Sequence, residues 1–156
     1  MGFLSGLFSK APAQDVFPTE NFAVVEGGGG GKPATGSINM GYKNYALKAS
    51  YPWCLRISIG LDLENVYKSG LPKSEERVIA DALEDALLGE IKKRATAHYI
   101  GHLYNNTYLD IYIYLDDPKK VHQYLQAQTN NKSLTRGFGY EINRDTEWAE
   151  VAGFLK

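Results

Sequence analysis

Tyr108, Asp110, Tyr112 and Tyr114 recur at every second residue of one segment. On an extended strand that spacing puts all four on one face. Three rings with polar tips can stack on a ligand or anchor a partner, and Asp110 can orient what is bound. The competing reading is packing within the sheet or coverage by the chain's own segments, because tyrosine suits strands and cross-strand neighbours. The candidate occupant is a protein partner or a second copy of the chain.

His98 and His102 form the next chemistry-bearing pair. Four residues apart on a strand, they are separated by about 13 Å, too far for one ion. A metal on His102 would need Asp110 opposite it, and His122 lies on a different element. No metal ligand set and no cofactor is expected. His98 and His102 join the tyrosines as candidate binding residues, with surface or half-buried imidazoles as the default reading.

Other signals fail on chemistry. Gly27 to Gly31 followed by Lys32 suggests a phosphate loop, but Glu26 stands where that loop needs glycine and Pro33 where it needs Ser or Thr. The run reads instead as a flexible loop between strands near Phe22–Glu26 and Thr35–Tyr42. Cys54 opens a strand on the side opposite Leu55, which predicts exposure, and no basic cluster lies nearby to activate its thiol. Arg136-Gly137-Phe138-Gly139-Tyr140 approaches an RNA-recognition motif, but Glu141 and Asn143 replace its Val and final aromatic, and the run falls on a last, edge strand. Phe138 and Tyr140 are expected in the core. No catalytic residue is assigned.

Composition sets the frame for these residues. The chain has 156 residues with 17 basic and 18 acidic side chains. That length fits one domain and buries enough surface to fold without disulfide or metal. A net charge of −1 gives no long-range attraction to nucleic acid or anionic lipid. A single cysteine excludes an internal disulfide. No apolar run is long enough to span a bilayer, so the chain reads as a cytoplasmic domain. In Met1 to Lys10, Phe3, Leu4, Leu7 and Phe8 stand at helical spacing. The segment reads as a frayed end or a turn packed on the domain, with a weak membrane contact as the alternative. Ala11 to Thr19, with Pro12 and Pro18, reads as a linker.

The remaining pattern supplies the elements. Leu55, Ile57, Ile59 and Leu61 alternate with polar residues, a half-buried strand. Ser74 can cap a helix that runs to about Arg94 with Ile79, Leu83, Leu87 and Ile91 as its stripe. A strand at His98–Tyr104 and a turn at Asn105-Asn106 lead into the strand Tyr108–Leu115. Asp117-Pro118 starts a second helix with Val121, Tyr124 and Leu125 buried, stopped by Asn130-Asn131. A last strand carries Phe138, Tyr140 and Ile142. Asp145 can cap a short terminal helix with Trp148, Val151, Ala152 and Leu155. The order predicts an α+β, ferredoxin-like β-α-β-β-α-β two-layer sandwich whose antiparallel sheet is extended by an N-terminal hairpin. Residues 1–19 read as tail and linker, 20–156 as one domain.

Gly31-Lys32-Pro33-Ala34, Gly70-Leu71-Pro72 with Glu75-Glu76, Leu83-Glu84-Asp85 and Tyr99-Ile100-Gly101 stand in the order of a bacterial family, the domain of unknown function 695. So do the Tyr112 and Tyr114 strand closing on Asp117-Pro118, and Tyr140-Glu141 through Asp145-Thr146-Glu147-Trp148. The chain resembles that family from about Phe22 to Leu155, with Thr146 where the family has proline. The resemblance implies a ferredoxin-like fold and no established activity. The family is also similar to B-type regulators of ribonuclease E activity, which act by binding a protein partner. The first functional expectation is a non-catalytic protein-binding or regulatory domain using the tyrosine face. The second is a small-ligand domain or enzyme with a pocket between hairpin and sheet, and the third is RNA binding through the sheet.

Overall fold

Apolar alternation builds the centre of the molecule. In the computed structural model, which describes residues 16–156, Leu55, Ile57 and Ile59 of strand β3 (Trp53–Gly60) point to one side. Leu109, Ile111, Ile113 and Leu115 of β5 (Tyr108–Leu115) point to the same side. They meet Ala80, Leu83, Leu87 and Ile91 of helix α1 (Ser74–Lys92) and Val121 and Leu125 of helix α2 (Lys119–Thr129). Each fully buried aliphatic side chain here stabilises the fold by roughly 1.5–3 kcal/mol. Phe138, Tyr140 and Ile142 of β6 (Phe138–Arg144) pack against this cluster. With β1 (Phe22–Gly29), β2 (Lys32–Asn39) and β4 (Ala97–Asn105), one antiparallel sheet forms in the order β1-β2-β4-β5-β3-β6. The fold is α+β, six strands and two helices.

Several element ends differ from expectation, each for a local reason. Ser74 is the first helical residue rather than the cap; Lys73 holds the cap position without a side-chain bond. The start is secured by Glu76, fully buried, which takes two hydrogen bonds from Arg136 at 2.7 and 2.6 Å and one from the Asp62 amide at 2.9 Å. The Arg136 bonds hold its carboxyl below the usual range against the opposing effect of burial. Ala80 takes the core position, and Ile79 is only half-buried. Asp117 caps from one residue further back, accepting from the Lys119 amide at 3.0 Å, so α2 begins after Pro118. The β4–β5 turn is Asn106-Thr107, both at positive φ, as a two-residue hairpin of this hand requires.

The glycine run is not a separate loop. Gly27 to Gly29 continue β1 in register with β2, and Gly30-Gly31, both at positive φ, make the turn. The terminal helix is reduced to a single 3-10 turn, Ala149–Val151, because Trp148 adopts a left-handed conformation (φ 58°) and breaks helical continuity. Residues 1–15, which include the apolar N-terminal segment and most of the linker, lie outside the described residues.

The sheet face away from the helices is closed by the chain itself. Tyr42, Tyr45 and Tyr51 from the β2–β3 connection and Trp148, Val151 and Leu155 from the C-terminus lie over Ile38, Cys54, Ile100, Tyr112 and Tyr114. The molecule therefore has a second core on the side where two layers alone would leave the sheet wet. No helix among the described residues is long and apolar enough to cross a membrane.

Candidate functional site

Gly101 decides where the histidines point. The β4–β5 register shifts between Tyr99 and Gly101, so one residue is inserted and the face alternation reverses. Before the insertion Tyr99 lies on the helix side, and His98 and Ile100 lie on the covered side. After it His102 and Tyr104 lie on the helix side. Glycine is required there: a Cβ would stand 2.2 Å from the Ser37 carbonyl oxygen and 2.8 Å from Ile38 Cδ1. The two histidines, expected along one straight strand, stand on opposite sheet faces. Asp110 is not the neighbour of His102; it accepts a 2.6 Å bond from Ser58.

His102 meets α1. Its Nδ1 lies 2.7 and 3.0 Å from the two carboxylate oxygens of Glu84, which is only 5% exposed. Tyr99 donates to Glu84 Oε2 at 2.7 Å, and Tyr104 donates to Asp81 Oδ1 at 2.5 Å. Asp81 and Glu84, three residues apart, share one face of the helix. The Arg77 guanidinium sits 4.5 Å above the Tyr104 ring. Burial alone would lower the His102 pKa; the hydrogen bond and charge of Glu84, with the charge of Asp81, outweigh it and raise the value. One ligand atom from each of Asp81, Glu84 and His102 lies within 4.8 Å of the others. Sequence reading missed Asp81 and Glu84. The available signals were a glycine inside a strand, which suggests a bulge, and two acids at helical spacing.

His98 is surrounded by rings. Tyr51 lies 4.1 Å away, Phe17 4.7 Å, Tyr45 5.4 Å, Tyr42 5.5 Å and Trp148 6.1 Å, centroid to centroid. Tyr42 Oη and His98 Nδ1 share a 2.8 Å hydrogen bond, while buried Nε2 finds no hydrogen-bond partner among the described residues. Burial pushes the imidazole down to about 4, so it is neutral at pH 7.

The tyrosine face is mostly closed. Tyr114 stacks on Trp148 at 4.2 Å and donates to Asp145 at 2.7 Å; Tyr112 is buried, with Phe154 5.3 Å from its ring. Tyr108 alone of the three is exposed. Cys54, expected at the surface, is buried, and burial raises its thiol to about 11. The hairpin lies in the plane of the sheet, joined to β4 through β2.

Accessible apolar surface lies elsewhere. On the helix side of β1, Phe22 is 44% and Val24 77% exposed. The Phe22 ring lies 6.2 Å from Tyr99. Beside it is a cleft of about 210 Å³ lined by Phe17, Glu20, Phe22, Tyr42, Lys92 and Tyr99 among others. No strand among the described residues pairs with the outer edge of β1. Sequence reading placed β1 but gave no reason to single out Phe22 or Val24.

The chain matches the family of unknown function DUF695 over residues 20–156 and belongs to it. Neither the curated proteins nor the solved structures give a match.

Proposed function

We propose that this chain is a non-catalytic binding domain that takes an extended segment of a partner protein onto the outer edge of β1, which no strand among the described residues pairs. The carrying observation is the contrast between the two sheet edges. β6 presents Glu141, Asn143 and Arg144 to solvent, the charged and polar side chains that discourage strand addition. β1 is eight residues long, has Glu26 as its only charge, and exposes Phe22 and Val24 on one face. An added strand would take backbone hydrogen bonds from β1 and lay alternate apolar side chains on Phe22 and Val24. Glu26 favours a segment with Lys or Arg at the far end.

The strand order β4-β5-β3-β6 with both helices on one side supports a ferredoxin-like arrangement for the binding unit, residues 20–156, with β1–β2 as its extension. RNA stacking gains no support: Phe138 and Tyr140 pack on the helix-side core.

The test compares wild type, Val24→Lys and Tyr108→Ala as baits, followed by hydrogen exchange of the purified complex. The reading expects a stoichiometric protein captured by wild type and Tyr108→Ala, lost with Val24→Lys, and protection of the β1 amides. Capture that survives Val24→Lys, or protection confined to the Tyr108 end, would overturn it.

A further inference from the structure

We propose that Asp81, Glu84 and His102 form a binding site for one divalent first-row transition ion, of which zinc is the probe. The inference does not depend on the β1 edge. The donor set is one imidazole nitrogen and two carboxylates, which suits zinc and its neighbours better than magnesium or calcium, whose preferred ligands are all oxygen. The ligand atoms already lie within 4.8 Å of one another, so small rotamer changes bring them to bonding distance.

The surroundings match what such a site needs. Tyr99 and Tyr104 each hold one carboxylate oxygen, on Glu84 and Asp81 respectively, while Glu84 Oε1 meets His102 Nδ1 at 2.7 Å, the contact an ion would replace. Glu84 is buried and Asp81 and His102 are half-buried, so the donors are not a solvated surface cluster. Gly101 turns His102 toward α1, and His102 Nδ1 faces the carboxylates. Arg77, over Tyr104, offsets part of the remaining negative charge. Binding therefore replaces the His102–Glu84 hydrogen bond: the proton on Nδ1 leaves that nitrogen, to Nε2 or to solvent, as the metal–nitrogen bond forms.

The experiment is calorimetric titration of chelator-treated full-length protein with zinc chloride, with thermal melts alongside. The expected result is one ion per chain and a raised melting temperature. Affinity should fall by at least roughly tenfold in Asp81→Asn and in His102→Gln. Cobalt should give a visible ligand-field spectrum that His102→Gln loses, and magnesium should not compete. Absence of a saturable 1:1 isotherm would overturn the site. So would unchanged zinc affinity in both variants, which would place the ion elsewhere. Should His102→Gln fail to fold, Asp81→Asn, at a half-buried position, decides alone.

Discussion

His98 and His102 share one strand, four residues apart, and inhabit opposite chemistry. His102 faces a helix that offers carboxylates and tyrosine hydroxyls, and its protonated form is favoured. His98 faces rings that offer dispersion but little hydration, and its neutral form is favoured. The difference comes from surroundings rather than from residue type. A single inserted residue at Gly101 assigns each imidazole to its face, so a local backbone irregularity sets the acid–base character of both sides of the sheet.

The largest effect should come from removing that irregularity. Gly101→Val puts a branched side chain where even a Cβ meets the Ser37 carbonyl oxygen at 2.2 Å. The expected cost is about 4 kcal/mol or more, or failure to fold, by urea unfolding. A loss below about 1 kcal/mol would mean that the bulge relocates freely and the separation of the histidines is not fixed.

Trp148→Ala attacks the covered face alone. It removes the ring stacked on Tyr114 and the indole bond to the Tyr51 carbonyl at 2.9 Å. A cost of about 3 kcal/mol or more is expected. Exposure of Tyr112 and Tyr114 should follow, read as quenchable tyrosine fluorescence.

Much of this architecture is legible in the sequence where periodicity is strong. Leu55, Ile57 and Ile59, the Leu109 to Leu115 alternation, and the Leu83, Leu87, Ile91 stripe each announce an element and its buried side. The cover is only partly legible, because residues 40–52 carry no regular period and the helical spacing of Trp148, Val151, Ala152 and Leu155 does not say which sheet face they close. The opposed histidines are illegible for a different reason. Simple alternation places His98 and His102 on the same face, and the strand glycine Gly101 hints at an inserted residue that only the register shift locates. The Asp81–Glu84–His102 cluster inherits that difficulty, since it joins residues of two elements through the bulge.

Acid titration sharpens the comparison by sign. Between pH 6.5 and about 4, unfolded His98 binds a proton that the folded protein does not. Stability is therefore lost on acidification across that window, at about 1.4 kcal/mol per pH unit. Urea midpoints of wild type minus His98→Phe should isolate this slope from the carboxylates. His102 should act in the opposite sense: its folded pKa is raised, so its contribution is present below about 6.5 and lost as pH rises through the folded value. The matching comparison is with His102→Gln. Smallest of all, Val24→Lys should change stability by no more than about 0.5 kcal/mol while removing strand addition at β1.

The most direct measurement is an NMR pH titration of the imidazole resonances of His98 and His102, with no metal added. The account predicts His102 titrating above its ordinary value of 6.5, and His98 holding one neutral tautomer down to about pH 4. Two ordinary titrations near pH 6.5, or the order reversed, would contradict the claim that the Gly101 bulge commits the two histidines to opposite environments.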